Sequence, residues 1–214
     1  MTGCVSSITH FGVLRHAPTE WNLLRRIQGH ADSPLTPEGE DQALCWGRFL
    51  AAYSWNRILS SDLGRARQTA LRINRSLHLP LSLSSGLREM DWGQWTGKTL
   101  ADIQQNDAPL WKKQAAAEWD FCPPGGESHE TVWRRGFQAL TEASNRWPGD
   151  TILVVTHEGI IKSLMYHKST VSVVPKTDLN PRPYCLHRFT FTGGILTIIQ
   201  TNSLDPHHRQ GEYK

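Results

Sequence analysis

Two histidines and two arginines stand where apolar runs break off into turns. Arg15 and His16 follow the run at 9–14 (THFGVL), Arg65 comes just after Ser60-Ser61-Asp62 at the end of a second run, and His157 closes Thr151–Thr156. In open α/β sheets, ligands bind outside the carboxyl ends of the strands, beside helix N-termini that favour anions. Two imidazoles and two guanidiniums gathered there make a site for a phosphate group. Either histidine alone reads more readily as a satisfied structural residue. Their placement at equivalent strand ends is what points to chemistry.

The elements that must hold these residues alternate between strand and helix. Thr36 has the form of an N-cap with Pro37 at the first helical position, and the helix it opens puts Ala43, Trp46, Gly47, Leu50 and Ala51 on one face. Arg57–Ser61 reads as a short strand, followed by a helix over about 64–77 and an extended stretch from Pro80 to about Leu87. Residues 98–125 suggest a helical excursion that covers something, ended by the breaker Cys122-Pro-Pro-Gly-Gly. Ser128 then caps a helix with Val132, Trp133, Gly136, Leu140 and Ala143 inward. Thr151–Thr156 is β-branched and apolar on both faces, as a central parallel strand should be. Two last strands, about 184–192 and 195–201, meet at Gly193-Gly194, a hairpin signal. The expected architecture is one α/β domain over 1–214, a three-layer αβα sandwich on a mostly parallel sheet with a helical cap, and a loose tail from about 203.

Composition narrows the class. At 214 residues, with 38% hydrophobic and 20% charged residues, the chain has the balance of a globular domain. No run approaches the roughly 18 apolar residues of a membrane helix. The N-terminal segment lacks the basic and apolar regions of a secretory signal, so a cytoplasmic protein is expected. Cys4, Cys45, Cys122 and Cys185 are spaced 41, 77 and 63 residues apart. That spacing fits no zinc or CxxC pattern and suggests four reduced thiols. A net charge of +3 suits an anionic small molecule and gives little support to nucleic-acid binding. Gly93–Thr99 imitates a P-loop but has three intervening residues instead of four and no buried strand leading in. Neither GxSxG nor HExxH occurs. Trp92, Trp95, Trp111 and Trp119 are expected to pack in the core and cap, with a pocket for an aromatic substrate as the other reading.

Leu14-Arg15-His16-Ala17-Pro18-Thr19-Glu20-Trp21-Asn22 resembles the RHGxTxWN signature of the histidine phosphatase (phosphoglycerate mutase-like) superfamily. Ser61–Ala70, Leu87–Gly93 and Val155–Gly159 follow the family pattern in order. The resemblance implies that His16 is the nucleophile, a role suited to an imidazole largely neutral near pH 7. It implies that Arg15, Arg65 and His157 surround the phosphoryl oxygens with help from Asn22, so that charge and positioning do the work without a metal or cofactor. Glu89 matches the general acid, with Asp91 as the runner-up. Thr19, Gln28 and Gly29 fall where substrate contacts are made, and Arg67 is expected to face solvent.

Two positions depart from the pattern. Ala17-Pro18 replaces a glycine and a polar residue, and Pro18 removes a backbone donor. Glu158 stands where glycine is usual; it is a further candidate contact, with its carboxylate expected to turn outward. Cys122–Ser128 resembles the PGGES segment of the small-molecule phosphatases, including the α-ribazole phosphatase-like branch. The 68 residues from Glu89 to His157 are fewer than the mutases carry there. The resemblance therefore implies a phosphomonoesterase acting on a small phosphorylated metabolite, with a cofactor-dependent mutase and a non-catalytic phospho-ligand binder as alternatives. A homodimer is left open.

Overall fold

The computed structural model describes residues 7–167, 171–173 and 180–204. Strand β1 (Thr9–Arg15) leads through a one-turn helix α1 (Glu20–Leu23) into α2 (Pro37–Leu50). There follow β2 (Arg57–Ser61), α3 (Gly64–Leu77) and β3 (Leu81–Ser84). Two short helices, α4 (Leu100–Asn106) and α5 (Ala108–Ala115), occupy the excursion before α6 (His129–Arg146). The chain then forms β4 (Thr151–Thr156), α7 (Glu158–Tyr166), β5 (Val171–Val173), β6 (Leu186–Thr192) and β7 (Ile195–Leu204). The seven strands lie in the order β3-β2-β4-β1-β6-β7-β5. β4 runs parallel to both β1 and β2, and only the pairings of β6 are antiparallel.

The register of β4 places the chemistry. Arg15 lies opposite Thr156 and Ser60 opposite Val155, so the residues that follow each strand emerge at one level on the carboxyl edge of the sheet.

Alternation along the central strands builds two cores, one on each face, as a doubly covered sheet requires. Val13, Ile152 and Val154 pack with Val132 and Leu140 of α6 and Ile160 and Leu164 of α7. Leu14, Ile58, Leu153 and Val155 pack on the other face with Trp46 and Leu50 of α2 and Ala66, Ala70 and Ile73 of α3. Helix α2 starts as its sequence dictates, with the Thr36 hydroxyl accepting from the Gly39 amide at 2.9 Å and Pro37 in the first turn. Gly47 lets α2 meet α3 closely, since a Cβ there would collide with the Ile73 backbone. Ala51, expected on the buried face, is instead exposed: it is the C-cap, where the helical period has ended.

Trp95 is fully buried in the larger core, and Trp92, Trp111 and Phe121 pack around it. The tryptophans of this region thus chiefly bind the excursion to the domain. β7 extends to Leu204, two residues into the segment expected to be a loose tail, because its pairing with β6 continues to Leu186–Leu204. Residues 205–214 and Cys4 lie outside the described residues; Cys45 and Cys122 carry free thiols. Among the described residues, no helix is long and apolar enough to cross a membrane.

Candidate active site

His16 leaves β1 with its ring buried, 2% exposed. Its Nδ1 lies 2.7 Å from the carbonyl oxygen of Ala17. A carbonyl can only accept, so Nδ1 carries the proton and the lone pair is at Nε2. Burial, reinforced by the positive charges of Arg15 and Arg65, holds this imidazole well below the usual histidine range. It is therefore neutral, with a defined tautomer, which is the form a nucleophile needs. Ala17 is fixed by its amide, which donates to the Thr69 hydroxyl at 3.0 Å.

His157 closes β4 and is wholly buried, its ring centroid 5.2 Å from that of His16. Its Nε2 lies 2.9 Å from the Ser61 hydroxyl, which already accepts from the Leu63 amide. That hydroxyl is then free to donate to Nε2, which leaves the imidazole proton on Nδ1, a buried atom with no partner among the described residues. Burial first, then Arg65 and His16, keep this histidine neutral as well.

Arg65 is 1% exposed at the start of α3. Its guanidinium is fixed from behind: Nη1 donates to Ala31 O at 2.8 Å and Asp32 Oδ1 at 2.9 Å, and Nη2 to Gly29 O at 2.8 Å. Its Nε is buried without a partner. Gly29 presents that carbonyl from a left-handed turn, φ 53°. Arg15 donates from Nη1 to Glu158 at 2.5 Å, and its Nε also has no partner.

A cleft of about 360 Å³ opens over His16 and is lined by Arg15, Asn22, Gln28, Gly29, Arg65 and Glu89 among others. Glu89 rests at the N-terminus of α7, its carboxylate accepting from the Met90 amide at 2.8 Å and the Gly159 amide at 3.3 Å. A Cβ at Gly159 would overlap that carboxylate, so the glycine admits the acid to the site. Behind it, Arg135 donates to the carbonyls of Gly86, Arg88 and Glu89 and grips Glu127 through Nε and Nη2. Glu127 in turn accepts from the Asp91 amide at 2.9 Å. The glutamate of the Gly-Gly-Glu-Ser segment thus braces the acid loop, while Ser128 caps α6.

The structure brings together His16, His157, Arg15, Arg65, Asn22, Gln28, Gly29 and Glu89, and it revises three expectations. Thr19 does not line the cleft; its hydroxyl caps α1 and accepts from Gln28 Nε2 at 2.8 Å, so it positions Asn22 and Gln28. Asp91 accepts from the Gly93 amide and lies away from the cleft, while Arg67 is exposed as expected. Glu158 does not turn outward. Its carboxylate bridges Arg15 and Lys162, both at 2.5 Å, and lines the cleft, because the two cations pull it across. Burial alone would raise its pKa, but Arg15 and Lys162 hold it below the usual carboxylate range. Arg26, Trp92, His129 and Lys162 also line the cleft, and the sequence reading did not single out three of them for the site. For Lys162 the spacing of one helical turn from Glu158 was a usable signal; for Arg26 and His129 only the fold reveals the proximity.

Comparisons with known proteins identify the family. A model of the Histidine phosphatase superfamily (branch 1) matches residues 12–203. A probable phosphoglycerate mutase, GpmB, of Salmonella choleraesuis SC-B67 is 36% identical over 146 residues, covering 68% of this chain and 67% of its own length. The solved structure of Bacillus stearothermophilus YhfR superposes with a TM-score of 0.78 at 30% identity, over 92% of this chain and 98% of its own. The alpha-ribazole phosphatase of Shigella flexneri shares the fold at 24% identity, with a TM-score of 0.74 over 91% and 96% of the two chains. Branch 1 of the histidine phosphatase superfamily, with its phosphatases and phosphoglycerate mutase-like enzymes, is the family to which this chain belongs.

Proposed function

We propose that the protein hydrolyses a small phosphomonoester through a phosphohistidine on His16, without a metal ion. One observation carries this reading. Arg15 Nε, Arg65 Nε, His157 Nδ1 and Gln28 Oε1 are buried side-chain polar atoms that lack a partner among the described residues. Unsatisfied buried donors are costly, typically about 1–3 kcal/mol each. Three of them converging beside a neutral imidazole answer the oxygens of a bound phosphoryl group.

In the first step His16 Nε2 attacks phosphorus in line with the ester oxygen. The phosphorus–oxygen bond breaks, and Glu89 acts as the general acid that gives a proton to the departing alcohol. The Nδ1–H bond to Ala17 O supports the charge that the ring gains. Arg15, Arg65 and His157 hold the equatorial oxygens, and Asn22, which lines the cleft and whose Oδ1 is taken by Thr19, assists them with its amide NH₂. Glu89 then takes a proton from water as the water oxygen attacks phosphorus, the phosphorus–Nε2 bond breaks to return His16 to the neutral imidazole, and phosphate leaves.

The mutase reading draws support from the name of the curated relative. Glu158 speaks against it, because a carboxylate at the rim, paired with Lys162, opposes the second acidic group of a phosphoglycerate. The test is phosphate release from p-nitrophenyl phosphate in EDTA by the wild type and by His16→Ala, with acid-labile phosphate on the protein measured after rapid quenching. Turnover in EDTA that disappears in the variant, with labelled phosphate on His16, is the expected result. Equal activity in both proteins would remove His16 as the nucleophile. Interconversion of 2- and 3-phosphoglycerate without net phosphate release would establish the mutase instead. Binding of phosphate esters with no label on His16 would establish a non-catalytic binder.

A further inference from the structure

A second hollow of about 660 Å³ adjoins the cleft, between the segment 118–129 and the C-terminal half of α7. His129 and Lys162 line both spaces, so the hollow continues the path that a leaving group takes past the phosphate site. We infer that this cavity receives the alcohol half of the substrate and selects a flat, uncharged aromatic ring bearing a hydrogen-bonding atom. The inference rests on the phosphomonoesterase reading for its orientation.

The walls are rings whose planes are held. Trp119 stacks on His129 with centroids 5.6 Å apart and 29° between planes, and its other neighbour, His167, is 5.3 Å away. His167 lies flat on Trp133 at 3.5 Å and 8°. One carboxylate oxygen of Glu130 anchors both walls, 3.3 Å from Trp119 Nε1 and 3.2 Å from His167 Nε2. Tyr166 stands at the open side. Slots between aromatic faces favour flat rings, which add stacking to the burial of area.

The floor carries an independent sign of a ligand. Ser163 lines the hollow and is 2% exposed, yet its hydroxyl has no partner among the described residues. A helical serine facing away from water ordinarily bonds back to the carbonyl four residues earlier. This one is left for a polar atom inside the cavity.

The charges disfavour an acidic leaving group. Lys162 is committed to Glu158, and burial holds His129 below the usual histidine range, hence neutral. Glu118 adds a negative charge at the rim. A neutral ring meets no opposition from this set, whereas a carboxylate or second phosphate would have to compete with Glu158 for Lys162, the one lysine or arginine among the described residues that line the hollow.

The test uses non-hydrolysable phosphonates, so that binding is read apart from turnover. Calorimetry would compare quinolin-6-ylmethylphosphonate, whose ring nitrogen can accept from Ser163, with butylphosphonate on the wild type, Trp119→Ala and Ser163→Leu, the variants having been checked for native melting. The expected result is an aryl preference of at least tenfold in the wild type, reduced at least fivefold in both variants. Equal affinities in the wild type, or a preference untouched by both substitutions, would overturn the inference. If p-nitrophenyl phosphate is turned over through His16 while no preference exists, the cavity assignment alone fails. If neither phosphonate binds and no phosphohistidine forms, the reading of the reaction fails with it.

Discussion

Glu158 gives the sharpest test of the site's electrostatics. Its carboxylate holds Arg15 at 2.5 Å, on a guanidinium that in the proposed reaction also holds the phosphoryl group. A phosphate dianion on that guanidinium would centre about 5 Å from the carboxylate. In a water-like dielectric, one charge against two at that separation repels by roughly 1.7 kcal/mol; a lower effective dielectric would raise the figure and salt would lower it. The Glu158 side chain is 38% exposed, so the water-like end of the range applies, about 1–2 kcal/mol. At about 1.4 kcal/mol per factor of ten, Glu158→Gln should tighten phosphate binding roughly five- to thirty-fold.

Glutamine is the informative replacement because its carbonyl can still accept from Arg15. The change therefore removes charge while retaining the contact that orients the guanidinium; Glu158→Gly removes both. The assay is the competitive inhibition constant of inorganic phosphate against p-nitrophenyl phosphate, measured near 50 and 500 mM salt. The gain in Glu158→Gln should shrink at the higher salt, since part of the repulsion crosses solvent. Equal or weaker phosphate binding by Glu158→Gln at low salt would refute the argument. It would mean that Glu158 matters by holding Arg15 in place and not by opposing the ligand.

Two further outcomes follow from groups outside the phosphate cradle. Arg135→Met removes the donors to the Gly86, Arg88 and Glu89 carbonyls, and should lower kcat by about 10²-fold while leaving the inhibition constant of phosphate within threefold, because a displacement of roughly 1 Å costs that much; a parallel loss of phosphate affinity would show that the arginine supports the cradle and not only the acid. Burial takes His187 down to about 4. The unfolded chain therefore binds a proton first, and stability falls as pH drops from about 6.5 toward 4, with a slope approaching 1.4 kcal/mol per pH unit from this residue. Urea unfolding of His187→Gln across that range should show a shallower slope than the wild type, and an unchanged slope would contradict the assignment.

Much of the site was legible because its residues occur in contiguous pieces attached to strand ends. A buried strand such as Thr151–Thr156 announces itself by composition, and the residue that follows it has nowhere to go but the carboxyl edge. The helix at Pro37–Leu50 was readable from its cap and period, and β2 from its apolar run. What stayed hidden depends on partners distant in sequence. Thr19 reads as part of a catalytic signature, yet its hydroxyl is spent on Asn22 and Gln28. The three-residue β5 carries no pattern of its own and exists by pairing with β7. His129 enters the site because α6 begins beside it, and the cap of that helix, Ser128, says nothing about what its first residue faces.

The misreading of Glu158 has the most general cause. Considered as one charge against a phosphate, it should turn away; considered with Lys162 one helical turn later and Arg15 across the sheet, it has two cations to satisfy. The site as it stands is close to compensated: Arg65 has Asp32, Arg15 has Glu158, and Lys162 shares the latter. These compensations are not equivalent. Asp32 holds Arg65 by Nη1 from behind, and also takes the Gly64 and Arg65 amides at the start of α3, so a ligand at Nε leaves it undisturbed. Glu158 sits within the cleft and must share Arg15 with whatever enters. On the proposed reaction, one carboxylate therefore builds the phosphate site and the other sets how strongly it binds. A hydrolase gains from the second arrangement, because the product of the last step is phosphate itself, and a cradle of fully available arginines would release it slowly.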